Sequence, residues 1–160
     1  MLRLFFPLSL FPIISCSQND KMKDDNIEIV IKIAQSYKYD LTRGAYTIFN
    51  IQGDSTIHFH LSEKEKQQIV QKYYSLGLDK FKGKQAIEDN CLVMPKLFTT
   101  LHVKSNKEEQ EIIIDEDCDD YKGIFDSKGK NIAAFLKFID HTLHGKQEIK
   151  NAPLSDIIYL

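Results

Sequence analysis

Alternation of apolar and polar residues in short segments most constrains how this 160-residue chain can fold. In the first such segment every second residue from Ile27 to Ile33 is isoleucine. A period of two places these side chains on one face of a β-strand, where a core covers them. We predict four further strands from the same pattern or from their β-branched and aromatic content, at 46–52, 56–61, 97–103 and 111–115.

Two segments between and after these strands have the period of an amphipathic helix. Ser62 and Glu65 match a capping box, in which each residue satisfies the other's backbone N–H, and the predicted helix runs to Leu76. We expect Ile69 and Tyr73 on its buried side. The second helix has apolar residues at i, i+3, i+4, i+7 and i+11. These residues are Ile132, Phe135, Leu136, Ile139 and Leu143.

The order strand, hairpin, helix, hairpin, helix predicts an α+β domain over residues 27–145. We expect a five-stranded antiparallel sheet with two helices packed on one face. Segments 37–44 and 78–90 are predicted to be loops. Residues 146–160 are predicted to form an extended tail, with Leu154 and Ile157 among the candidates for docking on the domain.

The N-terminal segment has a different character from the rest of the chain. A positive start at Arg3 precedes an apolar run over 4–14, too short to span a bilayer. The run ends in Ile13-Ile14-Ser15-Cys16, which resembles the cleavage site of bacterial lipoprotein precursors of the Bacteroidota type. An ordinary signal peptide that happens to contain a cysteine is the alternative.

The resemblance implies that residues 1–15 are removed and that Cys16 is lipidated. Residues 16–26 would then form a polar, flexible tether. It also implies a location in the cell envelope, anchored to the outer membrane on its periplasmic or surface side. The acyl chains are the only membrane attachment that the sequence predicts, because no second apolar run of about 18 residues follows.

Charge and cysteine content narrow the function further. The chain has 21 Lys plus Arg against 23 Asp plus Glu, a balance that does not indicate nucleic-acid binding.

Cys91 and Cys118 are the pair left after Cys16, and an exported chain is expected to bond them. The closed loop would stabilise the fold by roughly 3.5 kcal/mol in the chain-entropy model. Metal ligation and a nucleophilic thiol are the alternatives.

The region 27–145 also resembles the uncharacterised domain of unknown function family 6438. The resemblance depends on the hairpin 46–60, with its turn at Gly53-Asp54, and on the helix that follows Ser62. Where members of that family have two cysteines before the hairpin, this chain has Thr42 to Ala45. The resemblance implies no activity.

Two groups of residues are candidates for metal-dependent chemistry. His58, His60 and His102 lie on predicted strands, and three imidazoles with an open position would suit zinc. The acidic run 115–120 offers oxygen ligands for a hard cation, but it lacks the central glycine of a calcium loop. We expect solvent-facing histidines and a solvated acidic loop, with no cofactor.

Two functions from different classes remain. The first is a noncatalytic binding or accessory module whose partner is an envelope protein or a glycan, contacted through Tyr37, Tyr39 and Tyr46. The second is an envelope hydrolase or metal-dependent enzyme that uses the histidines or the acidic run. Convergence of these side chains in a pocket would distinguish the second function from the first.

Overall fold

The computed structural model describes residues 27–87, 97–105, 108–115 and 127–157. The strands are β1 Glu28–Ile33, β2 Tyr37–Asp40, β3 Ala45–Ile48, β4 Ser55–His58, β5 Gly83–Ile87, β6 Phe98–Lys104 and β7 Glu109–Asp115. The helices are α1 Glu63–Ser75, α2 Ser127–His144 and the single turn α3 Gln147–Lys150, with a short 3-10 helix at Leu78–Lys80.

All seven strands belong to one sheet, in the order β4-β3-β2-β1-β6-β7-β5. Every neighbouring pair is antiparallel except β5 and β7, which are parallel. The α+β class is therefore confirmed, and so is the hairpin of β3 and β4. The sheet differs from the prediction in having two more strands and one parallel pair.

The two additional strands lie in segments predicted to be loops. Tyr37–Asp40 was predicted to be a loop because turn-forming residues lie just beyond it. In the structure Asp40 caps that turn by accepting the Arg43 N–H at 2.9 Å. Gly83–Ile87 forms an edge strand, which pairs with a neighbouring strand on one side and needs core contacts on one face. Its sequence has one large apolar residue, Ile87, so it carries no alternation to detect.

The core lies between one face of the sheet and the helices. Ile29 and Ile31 of β1 are each 3% exposed, as their alternation predicts. Helices α1 and α2 contribute to the same core cluster. The predicted residues Ile69, Tyr73, Ile132, Phe135 and Ile139 are buried, and Leu136 is partly buried.

A buried chain of hydrogen bonds joins α1 to the sheet. The Tyr73 hydroxyl donates to the Gln110 side-chain oxygen at 2.7 Å. The Gln110 amide in turn donates to the Phe81 carbonyl at 2.6 Å. Tyr73 and Gln110 are almost fully buried, so these bonds prevent the cost of leaving polar atoms without partners in the core.

The C-terminal segment is part of the fold. The Lys146 ammonium donates to both carboxylate oxygens of Glu65, at 2.7 and 2.8 Å. Ile149 of α3 is buried, whereas Leu154, predicted as a docking residue, is 84% exposed. The segment after α3 docks mainly through polar bonds, because Ser155 donates to the Phe49 carbonyl at 2.6 Å.

Glu65 also completes the predicted capping box with Ser62. The Lys146 ammonium and the Ser62 backbone and hydroxyl together hold the pKa of the Glu65 carboxyl at about 2. A carboxyl whose pKa is lowered by folding stabilises the protein above its unfolded pKa. That contribution is lost as the pH falls towards the folded pKa.

We expect Glu65→Gln to lower the free energy of unfolding by about 1–2 kcal/mol at pH 7, after allowance for solvent screening. The difference from the parent protein should shrink as the pH falls from about 4.5 towards 2, because the parent carboxyl then becomes protonated. Denaturant titrations across this range measure it. Glu63→Gln, in the same helical turn but exposed, is the control; an equal loss there would contradict the assignment.

Phe135→Ala should lower the free energy of unfolding by about 3–5 kcal/mol, because the Phe135 ring is completely buried and its removal leaves a cavity. Phe138→Ala is the matched control on the same helix, since Phe138 is only partly buried. Denaturant midpoints of the two variants test the difference. Equal losses would show that Phe135 is not the central packing residue of α2.

Candidate functional site

The three tyrosines predicted as partner contacts form a stack inside the fold. The rings of Tyr39 and Tyr46 lie 4.5 Å apart and nearly parallel, with Tyr37 stacked on Tyr46 at 5.8 Å. Tyr39 and Tyr46 are only 8% and 6% exposed. The position of this stack does not suit a contact surface, because β2 and β3 turn these residues towards the core.

The surroundings of Tyr39 and Tyr46 favour the neutral form of their hydroxyls. Burial raises the pKa of Tyr39, and the nearby Asp140 carboxylate raises it further. Burial likewise raises the pKa of Tyr46. The Tyr37 hydroxyl accepts the Ser155 N–H at 3.1 Å. The tyrosines therefore position the strands and the C-terminal segment.

The structure does not bring the three histidines together. His58 is exposed on β4, and His60 is exposed two residues beyond it. His102 lies on β6, four strand positions from β4 in the sheet. At about 4.8 Å between neighbouring strands, His58 and His102 are about 19 Å apart. No group of three or more His, Cys, Asp or Glu in the described ranges is arranged to hold a metal.

Charged side chains are paired on the helix-free face of the sheet, along the β6 to β5 side. His102 Nε2 lies 2.8 Å from Glu109 Oε1, and Lys84 Nζ lies 2.8 Å from Glu111 Oε1. The hydrogen bond from Lys84 is the main cause of the lowered pKa of Glu111, to which the charges of His102 and Lys32 contribute. These pairs are partly exposed, so each adds little stability.

Several predicted residues lie outside the described part of the chain. They include Cys16, both members of the predicted disulfide, Cys91 and Cys118, and residues 116–120 of the acidic run. Asp115, the first residue of that run, ends β7. Lipidation, the disulfide and the acidic run therefore stay predictions.

The two ends of the sheet differ in the side chains that they carry. We define one end by Glu28 and Lys104, which pair where β1 begins, and call it the tether end after the tether predicted for residues 16–26. The far end is defined by Ile33, where β1 finishes, and by Phe98 and Ile48 of β6 and β3. Strand β1 has six residues from Glu28 to Ile33 inclusive, so the ends are about 17 Å apart.

Three exposed large apolar side chains in the described residues belong to the far end. Ile51 is 78% exposed, Leu154 is 84% exposed and Phe98 is 41% exposed. Ile51 follows β3, Phe98 begins β6 and Leu154 lies in the C-terminal segment. Sequence reasoning did not find this group, because its members come from three separate segments and share no pattern.

Backbone and side-chain hydrogen bonds hold these three segments together. The Ala34 N–H donates to the Phe98 carbonyl at 2.9 Å, and the Phe49 N–H donates to the Ser36 carbonyl at 2.9 Å. The Ile51 N–H donates to Asp156 Oδ1 at 2.8 Å. These hydrogen bonds therefore hold in place the backbone segments that carry the three apolar side chains.

Comparison with known proteins gives no further assignment. No protein-family model matches the chain, and no curated protein or solved structure is detectably similar to it. Within the described ranges, no helix has both the length and the apolar character needed to cross a bilayer.

Proposed function

We propose that this protein is a noncatalytic binding module of the cell envelope, tethered to the outer membrane through lipid on Cys16. Its partner binds at the far end of the sheet. The observation that carries this proposal is the presence of Ile51, Phe98 and Leu154, all exposed, at that end. We take these three side chains to belong to one contact surface, since an apolar surface exposed to solvent indicates an interaction site.

The order of the segments along the chain supports this assignment. Residues 16–26 lead directly into β1, so the proposed anchor enters the domain at the tether end. The far end then points away from the attachment point, where a partner has access. The tether end carries charged residues such as Glu28 and Lys104 instead.

The chemistry of the far end favours a protein partner over a glycan. Two of the three exposed side chains, Ile51 and Leu154, are aliphatic and need apolar surface opposite them, whereas sugar rings are bound mainly by aromatic faces. Asp156, next to this group, is already hydrogen-bonded to the Ile51 N–H. We therefore assign an envelope protein with an apolar contact patch as the partner.

The anchor is tested by Cys16→Ala. The variant should leave the membrane fraction, because the proposed acyl chains supply the membrane affinity at roughly 0.8 kcal/mol for each buried CH₂. Fractionation and intact mass measure the change, with Ser17→Ala as the control that should stay bound. A Cys16→Ala protein in the membrane at its processed mass would reject lipidation.

The partner surface is tested by site-specific photocrosslinking in intact cells. A photoreactive phenylalanine analogue in place of Ile51 should give a defined adduct, and the same analogue at Lys104 or Thr56 should not. Lys104 probes the tether end and Thr56 probes the helix-free face. Equal adducts from the control positions, or none from Ile51, would overturn the proposal.

The double variant Ile51→Ser, Leu154→Ser should weaken binding to the crosslinked partner by about tenfold, as loss of central interface contacts does. Its denaturant midpoint should stay close to that of the parent, because both side chains are exposed. Thr56→Ser is the control with unchanged affinity. Unchanged affinity in the double variant would contradict the assignment.

A further inference from the structure

Residues 153–157, which follow α3, are held to the fold mainly by hydrogen bonds. They form no helix or strand, and none of them is buried. The Ser155 N–H donates to the Tyr37 hydroxyl at 3.1 Å, and the Ser155 hydroxyl donates to the Phe49 carbonyl at 2.6 Å. Leu154 is 84% exposed, so it adds little packing. Segments with exposed hydrogen bonds and few apolar contacts open locally more readily than the core.

Asn50 and Asp156 join this segment to the turn between β3 and β4. The Asp156 N–H donates to Asn50 Oδ1 at 3.2 Å. The Ile51 N–H donates to Asp156 Oδ1 at 2.8 Å. Each of the two side chains therefore accepts a backbone N–H from the other segment, across 105 and 106 residues of sequence.

These two bonds also hold the turn in place. Among the described residues, every hydrogen bond that residues 50–54 make outside their own turn goes to Asp156. Ile51 directly follows Asn50, and Leu154 lies two residues before Asp156. The two bonds therefore set the position of one exposed apolar side chain of the far end relative to the other.

We propose that Asn50 and Asp156 are positioning residues of the far-end contact surface, and that docking of residues 153–157 regulates partner binding. The proposal rests on the proposed function, because it concerns the same surface. In the docked state Ile51 and Leu154 are presented together. When the segment is released, Leu154 leaves the surface and the turn loses its bonds. The partner binds the docked state, so its apparent affinity scales with the fraction of molecules in that state.

The first test needs no partner and uses hydrogen exchange of the processed protein in detergent, followed by mass spectrometry. Asp156→Ala should speed exchange in segments 49–54 and 153–157 together, by about tenfold or more, because both lose the same bonds. Asp156→Asn keeps an acceptor oxygen and should change exchange much less. Asp54→Ala is the matched control, since Asp54 is an exposed carboxylate in the same turn without a hydrogen bond among the described residues.

The second test measures the yield of the photocrosslinked adduct from position 51 in intact cells. Asp156→Ala should lower this yield by about fivefold to tenfold, as expected when most molecules are in the released state. Asp156→Asn and Asp54→Ala should stay close to the parent. The denaturant midpoint of Asp156→Ala should also stay close to the parent, because Asp156 is exposed and lies outside the core.

A double-mutant cycle separates positioning from direct contact with the partner. Leu154→Ser should lower the adduct yield in the parent background but should have little further effect in Asp156→Ala, where Leu154 is already displaced. Residues that act through one shared element are non-additive in this way. Effects that multiply independently would show that Asp156 contacts the partner itself, and would overturn the positioning role.

The outcomes distinguish this proposal from the proposed function. No adduct from position 51 in the otherwise unchanged protein would overturn the proposed function and this proposal with it. An adduct whose yield is unaffected by Asp156→Ala would overturn this proposal alone. Unchanged exchange of segment 49–54 in Asp156→Ala would also overturn it, because the turn would then be held without Asp156.

Discussion

The position of Tyr73 is the constraint on which the packing of the whole domain depends. Its ring meets Phe135 of α2 edge-on, with centroids 6.0 Å apart. Its hydroxyl is bound to Gln110 of β7, and Gln110 binds the Phe81 carbonyl that precedes β5. The Tyr73 side chain thus links both long helices to the side of the sheet where β5 pairs with β7.

This arrangement explains why the parallel pair forms. After β4, at one edge of the sheet, the chain must cross to the other edge before β5 can pair with β7. Helix α1 makes that crossing, and its buried residues pack it against the core face of the sheet. Gly77, with φ +68, then lets the chain turn at the end of α1 into the 3-10 helix.

The parts of the fold that sequence could predict are those with a strong repeating pattern. Ile29 and Ile31 alternate, and Ile132, Phe135 and Ile139 have helical spacing, so their burial follows from period alone. Strand β5 could not be predicted, because an edge strand is stabilised by its pairing with β7 and needs no apolar face of its own. Tyr37–Asp40 is too short for its alternation to outweigh the turn signals that follow it.

The candidate site was less predictable for a related reason. Tyrosines are common in interfaces, but the same ring suits a core when a second ring stacks on it, as Tyr46 does on Tyr39. Which use applies depends on strand register, which places Tyr39 beside Ile31 and Tyr46 beside Ile57. The segments that carry Ile51, Phe98 and Leu154 are brought to one end of the sheet by tertiary hydrogen bonds, which no local pattern encodes.

The far end and the core meet at the first residues of β6. Phe98 and Thr99 are consecutive, so the pleat of the strand points them to opposite faces. Phe98 is exposed at the far end, whereas Thr99 is 1% exposed on the core face. The carbonyl of Phe98 accepts the N–H of Ala34, which directly follows Ile33 at the end of β1. The backbone of β6 at this point therefore serves both surfaces, so a substitution that shifts it disturbs the packing of the core and the presentation of Phe98 together.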